Sequence, residues 1–492
     1  MAWRCKPRLI FSASAASPYK MSRKQITGIV LGLFLPLIIL LYPGDLSLPA
    51  RMALALSAFA VLFWTFEPAP IEYTSLLALL LFPLLRVIPF ETAFAAFSGK
   101  SVWLVFSGMA LSLGVTETPL GARLARWMLG RVRSYNRLIL TLHILGAAAA
   151  LVIPSGTVRV VILVPVVIGL LKELGEKPGS PVSAALVLSL VCSTQFCGTG
   201  VLTGSVPNVV VLGVLESRKI PLYWSQWAFC LFPVIGLLRV GCCYLLIRWL
   251  FPIDRPLLPP GPLPLPLGEG GGDKGLSPGK GEGEVRLTPA EKKVVGILLL
   301  GVLLWATDAL HGIHPAFVGL ILVLLCYLPG WGPLKPERLR QVNFPLLIYM
   351  AALFTLGRAL EVTGVTARLA GVMTHWGELS SGGALTKLGA ITWMVVPFDF
   401  LMDTAAVAAM LTPVLLDFGV GLGLGAVPVA LSVAVGTGVM FIPYQSAPFV
   451  VAYSFRYVRM GQFILMMTLI SLITLLLLLP LNLLYWRLIG FV

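Results

Sequence analysis

Residues 198–208 read Gly198-Thr199-Gly200-Val201-Leu202-Thr203-Gly204-Ser205-Val206-Pro207-Asn208, inside an apolar run from about 182 to 215. Such a run is expected to form an uninterrupted membrane helix. In lipid, a backbone group stays unpaired only if protein or water pairs it instead. A polar, glycine-rich break at that depth is therefore a packing kink or a binding site. The tetrapeptide returns as Gly436-Thr437-Gly438-Val439, again in an apolar run and again followed by serine and proline, here Ser446 and Pro448. Matched interruptions in two halves of a chain are the sequence pointer to the site of a secondary transporter.

The composition agrees with a membrane setting. The 492 residues are 58% hydrophobic and 12% charged, with mean hydropathy +0.93, whereas soluble domains carry about 25% charged residues. The chain is read as a polytopic membrane protein. Its net charge of +15 does not point to nucleic acid. The basic residues are spread over short loops beside apolar runs, as topology signals are, and not gathered in one patch. Cys192, Cys197, Cys230, Cys242, Cys243 and Cys326 lie in apolar runs, without zinc-like spacing to histidine, and read as small buried apolar residues. His311 and His314 read as loop residues beside Asp308. No nucleotide-binding or nucleophile-base motif is present. The chain is read as no enzyme, with no organic cofactor and no nucleic-acid partner.

In chain order, residues 1–26 form a basic N-terminal tail, read as cytoplasmic, with Met21 as a second candidate start. Apolar spans follow at about 27–43, 49–66, 70–90 and 101–129, the last ending in Arg123, Arg126, Arg131, Arg133 and Arg137. Residues 138–174 are too short for two crossings of about 20 residues each. They break at Pro154-Ser155-Gly156 and read as a re-entrant hairpin entered from the cytoplasm. The broken helix 182–215 and a span at 225–251 close the first half, 27–251. Residues 252–292 are rich in proline and glycine and read as a flexible cytoplasmic linker. The second half, 293–492, repeats the order: spans at 293–310, 315–330 and 343–373, a hairpin at 384–421 breaking at Met402 to Ala405, a broken helix at 425–455 and a last span at 460–490. Counting crossings puts the hairpins on opposite faces, which is an inverted-topology repeat. The expected fold is an all-α polytopic helical bundle of about 11 transmembrane helices, two re-entrant hairpins and two broken helices. The C-terminus is then outside.

Four break points converge on this reading. Half-helix starts offer free N–H groups to an anion, and carbonyls and hydroxyls at half-helix ends suit a small cation. Aligning the hairpins on Pro165 and Pro413 pairs Ser155 with Asp403, Gly156 with Thr404 and Thr157 with Ala405. Aligning the broken helices on Pro207 and Pro448 pairs Ser205 with Ser446 and Asn208 with Phe449. Arg159, one turn into the hairpin arm, is a charge in the membrane core and hence a functional candidate. It reads either as an anion partner or as half of an ion pair with Asp399 or Asp403. Asp399 and Asp403 share a helix face at i, i+4 and would repel without a cation or proton between them. Asp403 also reads as a helix cap. Arg358 and Glu361 read as an i, i+3 ion pair, and Gln445 as a substrate or ion contact.

The chain resembles the divalent anion–sodium symporter family of dicarboxylate, citrate and sulfate carriers, over roughly residues 27–490. That family carries Ser-Asn-Thr at each hairpin tip with proline ten residues after the serine; here the tips read Ser155, Gly156, Thr157 and Pro165, then Asp403, Thr404, Ala405 and Pro413. The family's broken helix, G-T-x-P-P-N, is matched by Gly204, Ser205, Val206, Pro207 and Asn208. The second copy, Ser446 to Phe449, fits loosely. The tip asparagine is absent from both tips, as Gly156 and Thr404. The resemblance implies a homodimer in which a transport part moves like an elevator against a scaffold.

The substrate-binding candidates are Ser155, Gly156, Thr157, Arg159, Thr203, Gly204, Ser205, Pro207, Asn208, Thr404, Gln445 and Ser446. Those for the coupling ion, Na⁺ or H⁺, are Ser155, Gly198, Thr199, Asp399, Asp403, Ala405, Gly436 and Thr437. The expected activity is import of a small di- or trivalent anion across the inner (cytoplasmic) membrane. A cation/proton antiporter or metalloid efflux permease on a related fold is the alternative. A membrane enzyme or scaffold is disfavoured, since neither needs paired breaks.

Overall fold

A computed structural model describes residues 21–42, 46–118, 123, 132, 134–253, 287–374 and 382–492. The described regular elements are helical. Most of the linker expected at 252–292, the N-terminal tail up to residue 20, and Arg126, Arg131 and Arg133 lie outside the described residues.

Short polar residues set where helices start. Ser22, Ser47, Ser134, Ser155, Ser180, Thr288, Asn343 and Asp403 each precede a helix and accept a hydrogen bond from its first turn, as N-caps do. In the first half the helices are α1 (Arg23–Leu41), α2 (Leu48–Phe66), α3 (Ile71–Leu84), α4 (Phe90–Phe94) and α5 (Lys100–Thr116). They are followed by α6 (Tyr135–Val152), α7 (Gly156–Glu173), α8 (Pro181–Thr199), α9 (Val206–Ser217) and α10 (Trp224–Leu250). The second half has α11 (Pro289–Ala306), α12 (Pro315–Cys326), α13 (Phe344–Val362), α14 (Val365–Thr374) and α15 (Ala384–Asp399). It ends with α16 (Thr404–Gly421), α17 (Ala426–Thr437), α18 (Ala447–Ser454) and α19 (Met460–Leu488). Among the described residues, 8 helices are long and apolar enough to cross a membrane, or 9 with the bent segment 90–116 as one span.

One expected boundary changes. The span at 343–373 is two helices, because Gly364 adopts φ +77° and stops α13 before α14 begins. That left-handed backbone is open to glycine at little cost.

The outermost helix and the central one differ in kind. In α1 only Gly28 and Gly32 are buried; a Cβ on either would fall 2.3 to 2.5 Å from Phe66 or Phe63 of α2, so glycine sets the close approach. In α8 every residue from Val182 to Thr199 is buried. A helix apolar and buried all round marks the centre of a bundle. The packing around it is crossed between halves. Helix α5 packs on α12 while α13 packs on α3, and α9 packs on α16 while α18 packs on α7.

Candidate functional site

The first break is held by one amide. Helix α8 stops at Thr199, a single turn covers Leu202–Gly204, and α9 starts after Ser205. The Asn208 Nδ2 group donates to the carbonyls of Gly198 (3.0 Å), Thr199 (3.3 Å) and Val201 (2.8 Å). Trp227 donates to the Thr199 carbonyl at 3.2 Å, and Trp224 to the Thr203 hydroxyl at 3.2 Å. Glycine is needed where the two sides of the loop touch: a Cβ on Gly204 would lie 2.7 Å from the Gly198 oxygen.

The second break has the same backbone ends and a longer middle. Gly200 and Gly438 have φ, ψ of −75°, −5° and −81°, −7°, and Ser205 and Ser446 have −150°, 144° and −148°, 128°. Four residues lie between Gly200 and Ser205, and seven between Gly438 and Ser446. Here the holding amide is Gln445. Its Oε1 accepts from the N–H groups of Phe441 (2.6 Å) and Ile442 (2.7 Å), and its Nε2 donates to the Asp399 carbonyl at 2.8 Å. Ser471 donates to the Met440 carbonyl at 2.6 Å. The two breaks touch, since a Cβ on Gly438 would sit 2.7 Å from the Thr199 methyl.

Two guanidinium groups enter this region, both fully buried. Arg159 donates to the carbonyls of Ile153 (2.7 Å), Thr194 (3.2 Å) and Gly204 (2.8 Å). Arg239, from α10, donates to the Gly438 carbonyl at 2.8 Å and lies 4.0 Å over the Phe196 ring. Among the described residues neither has a carboxylate partner. The ion pair expected between Arg159 and Asp399 or Asp403 is thus replaced by three backbone oxygens, because the guanidinium fork meets the ends of α6 and α8 before it meets the second half.

The hairpin tips carry different groups at equivalent places. Ser155 caps α7 through a long 3.4 Å bond from Val158 N–H. Asp403 caps α16, accepting from Ala405 N–H at 2.9 Å and from the Tyr349 hydroxyl at 3.4 Å. Asp399 ends α15, is fully buried, and among the described residues has no hydrogen-bond partner on either carboxylate oxygen. The two carboxylates stand at opposite helix ends, Asp403 before the start of α16 and Asp399 at the end of α15. An unpaired buried carboxylate holds a proton or a cation.

Gly156, Gln195 and Ser446 come together from three elements. Gln195, in the last turn of α8, donates from Nε2 to the Ser446 Oγ at 3.2 Å, and the other atom of its buried amide has no partner. A Cβ on Gly156 would lie 2.7 Å from that atom, 3.0 Å from Pro448 and 3.4 Å from the Arg159 guanidinium. The N-termini of α7 and α18, the Gln195 amide with its Oε1 acceptor free among the described residues, and the Arg159 guanidinium therefore face one place. A cavity of about 890 Å³ lies elsewhere. It is bounded by Leu212 and Gly213 of α9, Ala409 and Pro413 of α16, and Phe354 and Gly357 of α13. It borders the later turns of α9 and α16 and the chain that follows α9. His314 and Glu216 meet at its wall, 2.6 Å apart.

The model of the sodium:sulfate symporter transmembrane region matches residues 23–492. The chain belongs to that family. The family's curated relatives are transporters and not enzymes, and this chain is accordingly a multi-pass transport protein. It is 24% identical over 431 residues to the sodium-dependent dicarboxylate transporter SdcS of Staphylococcus saprophyticus, covering 81% of this chain and 79% of that one. It is 27% identical over 380 residues to the citrate/succinate antiporter of Escherichia coli, covering 74% of each. Among solved structures, the YdaH transporter of Alcanivorax borkumensis superimposes with TM-score 0.54 at 16% identity, covering 95% of this chain and 99% of that one; this likeness concerns the fold alone.

For this symporter-family chain the expected residues fall into two groups. Ser155, Gly156, Thr157, Ser205, Ser446 and Arg159 lie at or beside the junction of tip and breaks. Asn208, Gln445 and the carbonyls of Gly198 and Thr199 are engaged inside the breaks, so their first task is to hold backbone. Gly436 packs against Val395 and Thr392, where a Cβ would come within 2.7 to 3.0 Å. The ion pair of Arg358 and Glu361 is present at 2.9 Å, joined by Arg218 at 3.2 Å from Glu361. Arg239 and Gln195 were not foreseen. Arg239 carried a legible signal, a charge in the interior of the apolar run Trp224–Leu250, where the other charge, Arg248, stands in the last turn. Gln195 carried none, being one polar residue in a fully buried helix.

Proposed function

We propose that this chain is a secondary active transporter for a small di- or trivalent anion of the dicarboxylate, citrate or sulfate class, coupled to Na⁺ or H⁺. The observation that carries the reading is charge. Two fully buried guanidinium groups without carboxylate partners among the described residues stand beside the breaks, and one of them sits behind Gly156, Gln195 and Ser446. An uncompensated cation in a low-dielectric interior attracts an anion, and the N-termini of α7 and α18 add N–H groups of the same preference. The names of the relatives support the class, one being a sodium-dependent dicarboxylate transporter and another a citrate/succinate antiporter.

In this reading the halves, 27–251 and 293–492, are inverted repeats joined by a cytoplasmic linker, with hairpins at 138–174 and 384–421 re-entrant from opposite faces. The crossed packing of α5 on α12 and α13 on α3 supports that symmetry. The N-terminus is cytoplasmic, the C-terminus outside, and the cavity along α9 and α16 opens outward. The protein works in the inner membrane as a homodimer whose tips and breaks move together past a scaffold. The test is uptake of labelled succinate, citrate and sulfate into proteoliposomes, with imposed Na⁺ or pH gradients. Saturable, gradient-dependent uptake of at least one anion is expected; no flux of any of them under either gradient would overturn the proposal.

A further inference from the structure

Helix α10 lies along the first break and reaches the second. At its start, Trp224 and Trp227 donate from their indole nitrogens to the Thr203 hydroxyl and the Thr199 carbonyl, each at 3.2 Å. Further on the helix widens over Phe232–Leu238, and there its backbone meets the break. A Cβ on Gly200 would lie 2.9 Å from the Phe232 Cα and 3.0 Å from the Gly236 Cα. Arg239 follows and donates to the Gly438 carbonyl of the second break at 2.8 Å. These contacts are spread along one helix axis, so they hold together at one axial position only. A slide by one residue, about 1.5 Å, would pull the indole donors out of hydrogen-bond range.

That position is set by a side chain from the other half. The first N–H groups of a helix have no partner inside it, and Tyr223, which precedes α10, makes no side-chain cap bond. Asp308, between α11 and α12, takes that place. Its Oδ2 accepts from the Trp224 N–H at 2.6 Å, and its Oδ1 from the Ser225 N–H at 3.2 Å and the Ser225 hydroxyl at 2.5 Å. The carboxylate is fully buried, and both oxygens are engaged by α10. The same connection holds the end of α9, with His314 lying 2.6 Å from Glu216. The chain between α11 and α12 therefore grips both sides of the α9–α10 turn.

We infer that Asp308 is a positioning residue for the first break. By capping α10 from the second half, it fixes the axial position of the helix whose two tryptophans and widened turn hold Thr199 to Thr203. The consequence for an anion rests on the transporter reading above. Gln195 stands one turn before Thr199 in α8, so a loosened break also weakens anion binding beside Gln195.

The test is hydrogen exchange read by mass spectrometry on purified full-length protein without any anion. The proteins are wild type, Asp308→Ala, Asp308→Asn, Trp224→Phe and the double variant Asp308→Ala/Trp224→Phe. The N–H groups of Gly200, Val201 and Gly204 are bonded within the break and report on it directly. Asp308→Ala is expected to speed exchange over residues 198–205 about tenfold or more through local opening, while residues 53–61 of α2 exchange as in wild type. Asp308→Asn, which keeps an acceptor, shows a smaller rise over the same residues. The double variant exchanges no faster than Asp308→Ala, because both changes act through α10. Unchanged exchange at 198–205 in Asp308→Ala, an equal rise at 53–61, or additive effects in the double variant would overturn the inference. Should Asp308→Ala fail to fold, Asp308→Asn decides: a rise confined to 198–205 agrees, and no rise or a general one contradicts. Where this exchange pattern holds and no anion binds or is taken up, the transport reading fails and the role of Asp308 stands.

Discussion

The two helix breaks share end geometry and differ in what fills them. At both, a glycine near φ −80° ends the first half-helix, and an extended serine starts the second. At both, one carboxamide holds the loop, Asn208 with three carbonyls in one case and Gln445 with two N–H groups and a carbonyl in the other. The amides are not at aligned positions. Asn208 follows its serine cap and Gln445 precedes its own, and the proline alignment puts Phe449 opposite Asn208. The job is kept while the position changes, because any buried loop in a membrane must have its backbone groups paired. Charge, by contrast, is not kept. Arg159 donates to three carbonyls around the first break and Arg239 to one at the second, and the second half adds a buried carboxylate, Asp399, with no partner among the described residues. The lesson is that the shared parts build the breaks and the unshared parts set what moves through them.

The comparison breaks first at the amides. Asn208→Ala and Gln445→Ala each delete three buried hydrogen bonds, at about 1 kcal/mol apiece, and each is expected to lower stability by about 3 kcal/mol. Reversible unfolding in mixed micelles measures both. A large loss at one and none at the other would show that the second break is not held as the first is.

The carboxylates sharpen it next. Asp403→Ala removes the cap of α16 and is expected to lose about 1 kcal/mol. Asp399→Asn removes an unpaired carboxylate from a buried helix end and is expected to leave stability unchanged or raised, while uptake no longer responds to the Na⁺ or pH gradient. Stability and gradient dependence are measured on the same preparations. A marked destabilisation by Asp399→Asn would mean that the carboxylate serves the fold.

Much of this was legible in the residues. The repeated Gly-Thr-Gly-Val, the prolines after residues 155 and 403 and the apolar run lengths placed the helix ends near 153–156, 199–205, 399–404 and 437–446 within a few residues. The capping role of Asp403 followed from its place before Thr404. What the sequence could not give was partner choice. Arg159 has hydrogen-bond donors suited to a carboxylate or to carbonyls, and only the folded approach of α6, α7 and α8 decides for carbonyls. Gln445 looked like a ligand contact because a buried amide must find partners; that its partners are its own backbone depends on the three extra residues of the second break. The end of α13 at Gly364 was missed since an apolar pattern alone does not register one positive φ.

The central claim is that the anion lies where hairpin one, the end of α8 and the second break meet, at Gly156, Gln195 and Ser446. Its most direct test is calorimetric titration of succinate, citrate and sulfate into purified wild type and Gln195→Leu. Binding of at least one anion to wild type is expected, with Kd weakened about tenfold or more in Gln195→Leu. The same Kd in both proteins would contradict the account.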